Sequence, residues 1–393
     1  MKSDEISVNL HQPYRLSRWG RMAYLWSARN SYLADYGLRV LRSSPEPADI
    51  VAITAPHVPD REPWAHKDYR NYLTAVPGEP FEYRDTPMIC ESAMDYAYID
   101  DTCRSLLSHP QVRAFTTGSR YREEEPQLRG TWGGDYYAAV YRRRLLFEMG
   151  PDPQRRREPL SAELQAKHKP LCRPPSEPFR DDVFEYILAK KRPLRDRPMD
   201  VFFCGRVQYH PSRSINSVTD HRWRAIEAIE RLPVKNKVCI PYSDHDGRVW
   251  WGKPVRSFKY PFEYCDALLA SKVVVSPWGW SPWAIRDCEA LACGCVVVKP
   301  ECSNLVIIPD IYDPKKCLLV WCDLLFENLE DRVMYILGHL DEFQDRADRG
   351  HKLVLDTLYP NAKVFATWTA AMRKMCEEAL SGPAFAAAAS FLS

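Results

Sequence analysis

Apolar residues fall along this chain in two alternating patterns. The first is the short unbroken run. It occurs at 48–54 (ADIVAIT, closed by Pro56), 199–204 (MDVFFC), 237–241 (KVCIP), 272–276 (KVVVS), 295–299 (CVVVK) and 317–321 (CLLVW). Runs of this length, rich in Val, Ile and Phe, predict strands buried on both faces. Residues 87–90 and 112–116 are weaker examples. The second pattern is a return of apolar residues every three or four positions, which predicts helices. It covers 18–43, 135–148, 180–191, 262–269, 283–292, 328–342 and 345–358. Asp220 is placed to cap a helix running to Leu232 through Trp223, Ile226, Ala228 and Ile229. After a break at Tyr359 and Pro360, residues 361–380 resume the pattern, with Val364, Phe365, Trp368, Ala371, Met372 and Met375 on one stripe.

Strands alternating with helices through the second half predict a parallel sheet covered on both faces, a Rossmann-like domain over 199–358. Between 151 and 198 the texture changes. Prolines recur at 151, 153, 159, 170, 174, 175, 178, 193 and 198, and Arg155 to Arg157 form a basic run. Proline fixes φ and lacks an N–H, so this stretch reads as an interdomain linker with one embedded helix at 180–191. Residues 1–150 then form an N-terminal domain, and 359–382 a terminal helix.

The chain has 393 residues, which suits two cores and not one. Its 54 basic and 52 acidic side chains nearly cancel, so charge gives no argument for a nucleic-acid partner. Residues 1–20 lack the apolar segment of a signal peptide, and no apolar run is long enough to span a bilayer. These features predict a cytoplasmic location with at most peripheral membrane association. The 13 cysteines are odd in number and lie mostly in apolar runs, as Cys204, Cys239 and Cys295 do, which fits free thiols in a reducing compartment. Cys293 and Cys295 have no second pair at zinc spacing, so no metal site is expected.

Ligands of parallel α/β sheets bind at the carboxyl ends of the strands, which points to loops 205–219, 242–260 and 276–282. The last runs Ser276-Pro277-Trp278-Gly279-Trp280-Ser281-Pro282. Gly279 permits close backbone approach, Ser281 is placed to cap the following helix, and Pro282 suits its first turn. Free N–H groups and the positive end of the helix dipole there suit a diphosphate. Arg286 and Glu289, three apart on one helical face, add a forked cation and an acceptor for ribose or sugar hydroxyls. The same two residues also fit a surface ion pair, and Trp278, Trp280 and Trp283 fit either a sugar platform or a core. Loop 205–219, with Gly205 at its start and Arg206, His210, Arg213, Ser214, Ser217 and Thr219 within it, reads as a phosphate cradle or as a polar surface loop.

The stretch 271–300, SKVVVSPWGWSPWAIRDCEALACGCVVVKP, resembles the most characteristic segment of exostosin-like glycosyltransferases. The matching residues are Ser271, Lys272, Pro277, Gly279, Arg286, Glu289, Ala290, Gly294, Cys295 and Pro300. Residues 261–272 and 202–206 are similar to the preceding helix and to the start of that family's donor domain. Many relatives carry Arg where this chain has Trp278. The resemblance covers about 200–300. It implies a GT-B architecture, two Rossmann-like α/β domains facing a central cleft, with acceptor binding in 1–150 and the donor site in 199–358. It further implies transfer from a nucleoside-diphosphate sugar to a glycan or glycolipid acceptor, favouring inversion, without a bound cofactor or catalytic metal. The expected donor contacts are Gly205, Arg206, Arg213, Tyr242, Ser276, Gly279, Trp280, Ser281, Arg286 and Glu289. Tyr242 stands where this fold often recognises the base. The catalytic base is expected from the N-terminal domain, where His57, Glu91 and Asp95 are alternatives. GT-B chains commonly end in a helix that returns to the first domain, the role expected of 359–382. A sugar-nucleotide epimerase and a non-catalytic nucleotide or glycan binder are the competing readings.

Overall fold

The unbroken apolar runs become strands, and all of their ladders are parallel. The computed structural model describes residues 5–11, 33–34, 37–42, 48–55, 86–92, 107–109, 111–117, 120–121, 161–170, 179–205, 216–240, 261–278, 283–303, 305–323 and 325–381. These divide into two units, each built on its own sheet.

The first unit contains β1 (Ile6–His11), β2 (Leu38–Arg42), β3 (Ile50–Ala55), β4 (Met88–Ser92), β5 (Val112–Thr117), α1 (Ala162–Lys167) and β6 (His168–Pro170). The strand order is β2-β1-β3-β4-β5-β6. Two sequence expectations change here. Residues 38–42 are a strand, not the end of a helix over 18–43. Leu38-Arg39-Val40 alternates buried and exposed positions, and the segment pairs with β1 in register from Ile6↔Leu38. The stretch 151–198 holds more regular structure than a linker with one helix. Residues 160–169 contain no proline, and Ser161 caps α1 by accepting from the Leu164 N–H at 3.3 Å. β6 then adds to the sheet beside β5, with Phe115 opposite His168.

The second unit contains α2 (Asp181–Lys190), β7 (Met199–Cys204), α3 (Asn216–Arg231), β8 (Asn236–Cys239), α4 (Phe262–Leu269), β9 (Ser271–Val275), α5 (Ile285–Ala292), β10 (Val296–Pro300), β11 (Leu319–Cys322), α6 (Leu329–Gly338) and α7 (Leu340–Leu358). The strand order is β11-β10-β9-β7-β8. Side chains alternate across the sheet. Val201, Phe203, Val273, Val275, Val296 and Val298 meet Ala225, Ile226 and Ile229 of α3 and Val333 and Ile336 of α6 in one core. Phe202, Val274 and Val297 on the opposite face are equally buried. Both faces are covered, which is why the sequence shows runs and not alternation. α3 begins at Asn216, so Asp220 lies inside the helix and does not cap it. The chain ends α5 through Gly294, whose φ of 67° is left-handed; its N–H donates to Leu291 O and that of Cys295 to Ala290 O, both at 2.9 Å.

α8 (Ala362–Ser381) is the last described helix and belongs to the first unit. Trp368, Met372, Cys376 and Ala379 lie in one core with Ile6, Val8, Ile50, Ala52, Ile89 and Ala114 of β1, β3, β4 and β5. Among the described residues no helix is long and apolar enough to cross a membrane. Trp368 is the largest side chain α8 gives to that core. Trp368→Ala should therefore cost about 3–5 kcal/mol of stability, read by urea denaturation. A change below about 1 kcal/mol would mean that α8 does not hold the first unit together.

Candidate functional site

In the second sheet the chain passes from β7 to β8 on one side and returns to β9 on the other. The strand order reverses between β7 and β9, and sheets of this kind bind ligands outside the carboxyl ends of the two strands at such a switch point. Gly205 directly follows β7 and Ser276 directly follows β9. Arg286 lies in the first turn of α5, the helix reached from β9, and Glu289 one turn later.

The guanidinium of Arg286 is packed against the main chain of Gly205. A Cβ at position 205 would lie 2.3 Å from Arg286 Nη2 and 3.1 Å from Cζ, so no residue with a side chain fits without moving it. The group also lies over the Phe203 ring, 5.4 Å from its centroid. Its Nη1 is buried and has no hydrogen-bond partner among the described residues. A buried N–H of a fixed cation left without an acceptor is costly, and native structures rarely leave one unexplained. Glu289, only 8% exposed, accepts from Tyr264 Oη at 2.8 Å. Burial, reinforced by the Glu289 charge, raises the Tyr264 pKa well above its ordinary value and keeps that phenol a donor. Burial also pushes the Cys204 thiol up to about 12, against the pull of Arg286, so it is no nucleophile near neutral pH.

Behind these residues lies a buried polar frame. Asp287, at the third position of α5, has no solvent exposure. Its carboxylate accepts from the hydroxyls of Ser276 and Tyr312 and from the Ala284 N–H at 3.4 Å, and pairs with Lys299 Nζ at 3.1 Å. Lys299, equally buried on β10, also donates to Ser276 O at 3.3 Å. Trp278 is buried, and its indole N–H donates to Pro300 O at 3.3 Å.

The structure thus brings Gly205, Arg286 and Glu289 to one end of the sheet. Ser276 is there as well, but its hydroxyl, N–H and carbonyl all bond within the protein. It serves the frame and is not turned toward a ligand. Trp278 and Trp283 are buried. The helix after β9 starts at Ile285, with Ala284 at its N-cap, so the capping role expected of Ser281 does not arise. Arg206, Arg213, Tyr242, Gly279, Trp280, Ser281, His57 and Asp95 lie outside the described residues, and Glu91 is described only as backbone of β4. Asp287, Lys299, Tyr312, His221 and Arg222 are the polar residues that sequence reasoning missed. A lysine closing the run CVVVK was the available signal. Among the described residues no three His, Cys, Asp or Glu side chains come together as a metal site.

No protein-family model matches the sequence, and none of the curated proteins does. Among solved structures, the chain is similar to sucrose-phosphate synthase from Thermosynechococcus elongatus, at 14% identity and a TM-score of 0.48 over 95% of this chain and 99% of that one. It is similar to an alpha1,3-fucosyltransferase, at 12% identity and a TM-score of 0.43 over 98% of this chain and 93% of that one. It is also similar to an alpha-glucosyltransferase in complex with UDP and a 13-mer DNA containing a HMU base, at 10% identity and a TM-score of 0.39 over 94% of this chain and 100% of that one.

The frame predicts a stability effect that differs between single and double variants. Lys299→Met strands a buried carboxylate and should cost about 3–5 kcal/mol by urea denaturation. Adding Asp287→Asn should recover part of that loss, because no unpaired charge then remains. Additive costs in the double variant would show that the two charges do not act as a pair.

Proposed function

We propose that the chain is a glycosyltransferase of GT-B architecture that binds a nucleoside-diphosphate sugar at the β7/β9 switch point of its second unit. The observation that carries this reading is the guanidinium of Arg286, its buried Nη1 without a partner among the described residues, held against the bare main chain of Gly205 where such sheets bind ligands. Arg286 is assigned to the diphosphate, whose negative charge grows as the glycosidic bond breaks. A fixed cation in a water-poor site stabilises that charge without reorganising. Glu289, oriented by Tyr264, is assigned to ribose or sugar hydroxyls. The resemblance of residues 271–300 to exostosin-like enzymes supports the donor class and favours inversion at the sugar carbon. Inversion needs a base for the acceptor hydroxyl. His57, Glu91 and Asp95, at or just beyond the carboxyl ends of β3 and β4, are the candidates. A glycan or glycolipid of surface polysaccharide or glycoconjugate assembly is the proposed acceptor, and the cytoplasm the proposed location.

A panel of labelled sugar nucleotides tests the reaction class. Slow release of free sugar from one donor is expected of a transferase without its acceptor. A changed sugar still on the nucleotide would mean an epimerase, and binding without turnover a non-catalytic binder. Arg286→Ala should weaken nucleotide binding by about 1.5–3 kcal/mol, the range for a hydrogen bond to a charged group. Gly205→Ala should weaken it too, by displacing the guanidinium. A folded Arg286→Ala protein that binds nucleotide as the wild type does would sink the assignment. Glu289→Gln keeps shape and loses charge. It should lower donor affinity and activity, and full retention of both would make Glu289 a structural residue.

A further inference from the structure

Two consecutive side chains of α3 converge on one residue of the chain leaving β9. The Trp278 N–H donates to His221 Nε2 at 3.1 Å, and the Trp278 carbonyl accepts from Arg222 Nε at 3.0 Å. His221 Nε2 is an acceptor here and so carries no proton. The imidazole packs against the Trp278 indole and the Phe326 ring, with centroids 5.7 Å and 4.9 Å away. All three residues of the clamp are at most 5% exposed. Neighbouring helix residues point about 100° apart, so His221 and Arg222 reach the Trp278 main chain from two directions.

This arrangement is more than packing needs. β9 ends at Val275, and the core beneath α3 is built from Ala225, Ile226 and Ile229. Burying an imidazole and a guanidinium is unfavourable unless they are paired, and His221 Nε2 and Arg222 Nε pair with main-chain groups of the same residue. That residue leaves the strand at the switch point, three positions after Val275. We propose that His221 and Arg222 are positioning residues for nucleotide binding. They hold the Trp278 peptide where the chain leaves β9, and so support the donor site at the switch point. This role rests on the donor-site reading above.

The test uses the full chain and His221→Leu, His221→Gln and Arg222→Met. Each is titrated with UDP, GDP and dTDP by calorimetry, and hydrogen exchange is followed at the Trp278 amide. The Gln side-chain oxygen can occupy the place of Nε2 and accept the same bond; Leu cannot. In His221→Leu the Trp278 amide should exchange faster. The nucleotide dissociation constant should rise about tenfold or more, as the held conformation becomes a minor one. His221→Gln should restore both, which a general loss of packing would not predict. Arg222→Met should weaken nucleotide binding with His221 intact, and it carries the test if His221→Leu does not fold. Undiminished nucleotide binding in His221→Leu or Arg222→Met, or no restoration by Gln, overturns the positioning role while the donor site stands. A wild-type protein that binds none of the three nucleotides overturns the donor-site reading and this role with it.

Discussion

A carboxylate taken out of water must be met by donors, and the donors that meet Asp287 come from four separate parts of the second unit. Ser276 directly follows β9, Lys299 lies on β10, Tyr312 belongs to the segment between β10 and β11, and Ala284 is the N-cap of α5. None of these contacts can be given up alone, because each leaves a buried polar group unpaired. The passage from β9 to α5 is therefore fixed at its first residue, Ser276, and at its last, Ala284. Arg286 is the residue immediately before Asp287. The contacts that hold Asp287 also hold the backbone of Arg286, whose guanidinium reaches Gly205 and Phe203.

The second support comes from the other side of the sheet order. α3 follows β7, and its His221 and Arg222 hold the main chain of Trp278 after β9. α3 and the chain leaving β9 are thus tied by buried hydrogen bonds. At Gly205 a side chain would occupy the place of the Arg286 guanidinium. Supporting shells of this kind are what a binding site needs if its charged groups are to wait in position.

The strands and helices of the second unit were legible in the sequence because both faces of its sheet are covered. Continuous Val, Ile and Phe runs are the direct trace of that burial, and the helices between them follow from the three-to-four spacing. The first unit was less legible. β2 is an edge strand of five residues with alternating exposure, and a short alternating segment beside a helical pattern is easily absorbed into it. In the site, Arg286 and Glu289 were readable as a pair on one helical face. Asp287 was not, because adjacent positions on a helix point in different directions and nothing local says that one of them faces a buried lysine. His221 and Arg222 were invisible for the same reason. Their partners are main-chain groups 56 and 57 residues away, and a backbone N–H or carbonyl leaves no mark on the sequence.

The second unit buries guanidinium nitrogens at both ends of its sheet, and the contrast between the two sites shows how structure and function are divided. Arg197 lies before β7, at the amino end. Its Nε donates to Arg192 O at 3.2 Å, Nη1 to Ser271 O at 2.8 Å, and Nη2 to Cys293 O at 2.9 Å. Every nitrogen has an acceptor on the protein: the carbonyls of Ser271 at the start of β9, Cys293 at the end of α5 and Arg192 after α2. Such a cation joins these elements and has nothing left for a ligand. Arg286, at the carboxyl end, lies over an aromatic ring, is pressed against a glycine, and keeps a buried Nη1 that the described protein does not satisfy. Both arginines are held in place, and only one is left incomplete. The first site shows that this sheet can supply carbonyls to a buried guanidinium; among the described residues none reaches Nη1 of Arg286.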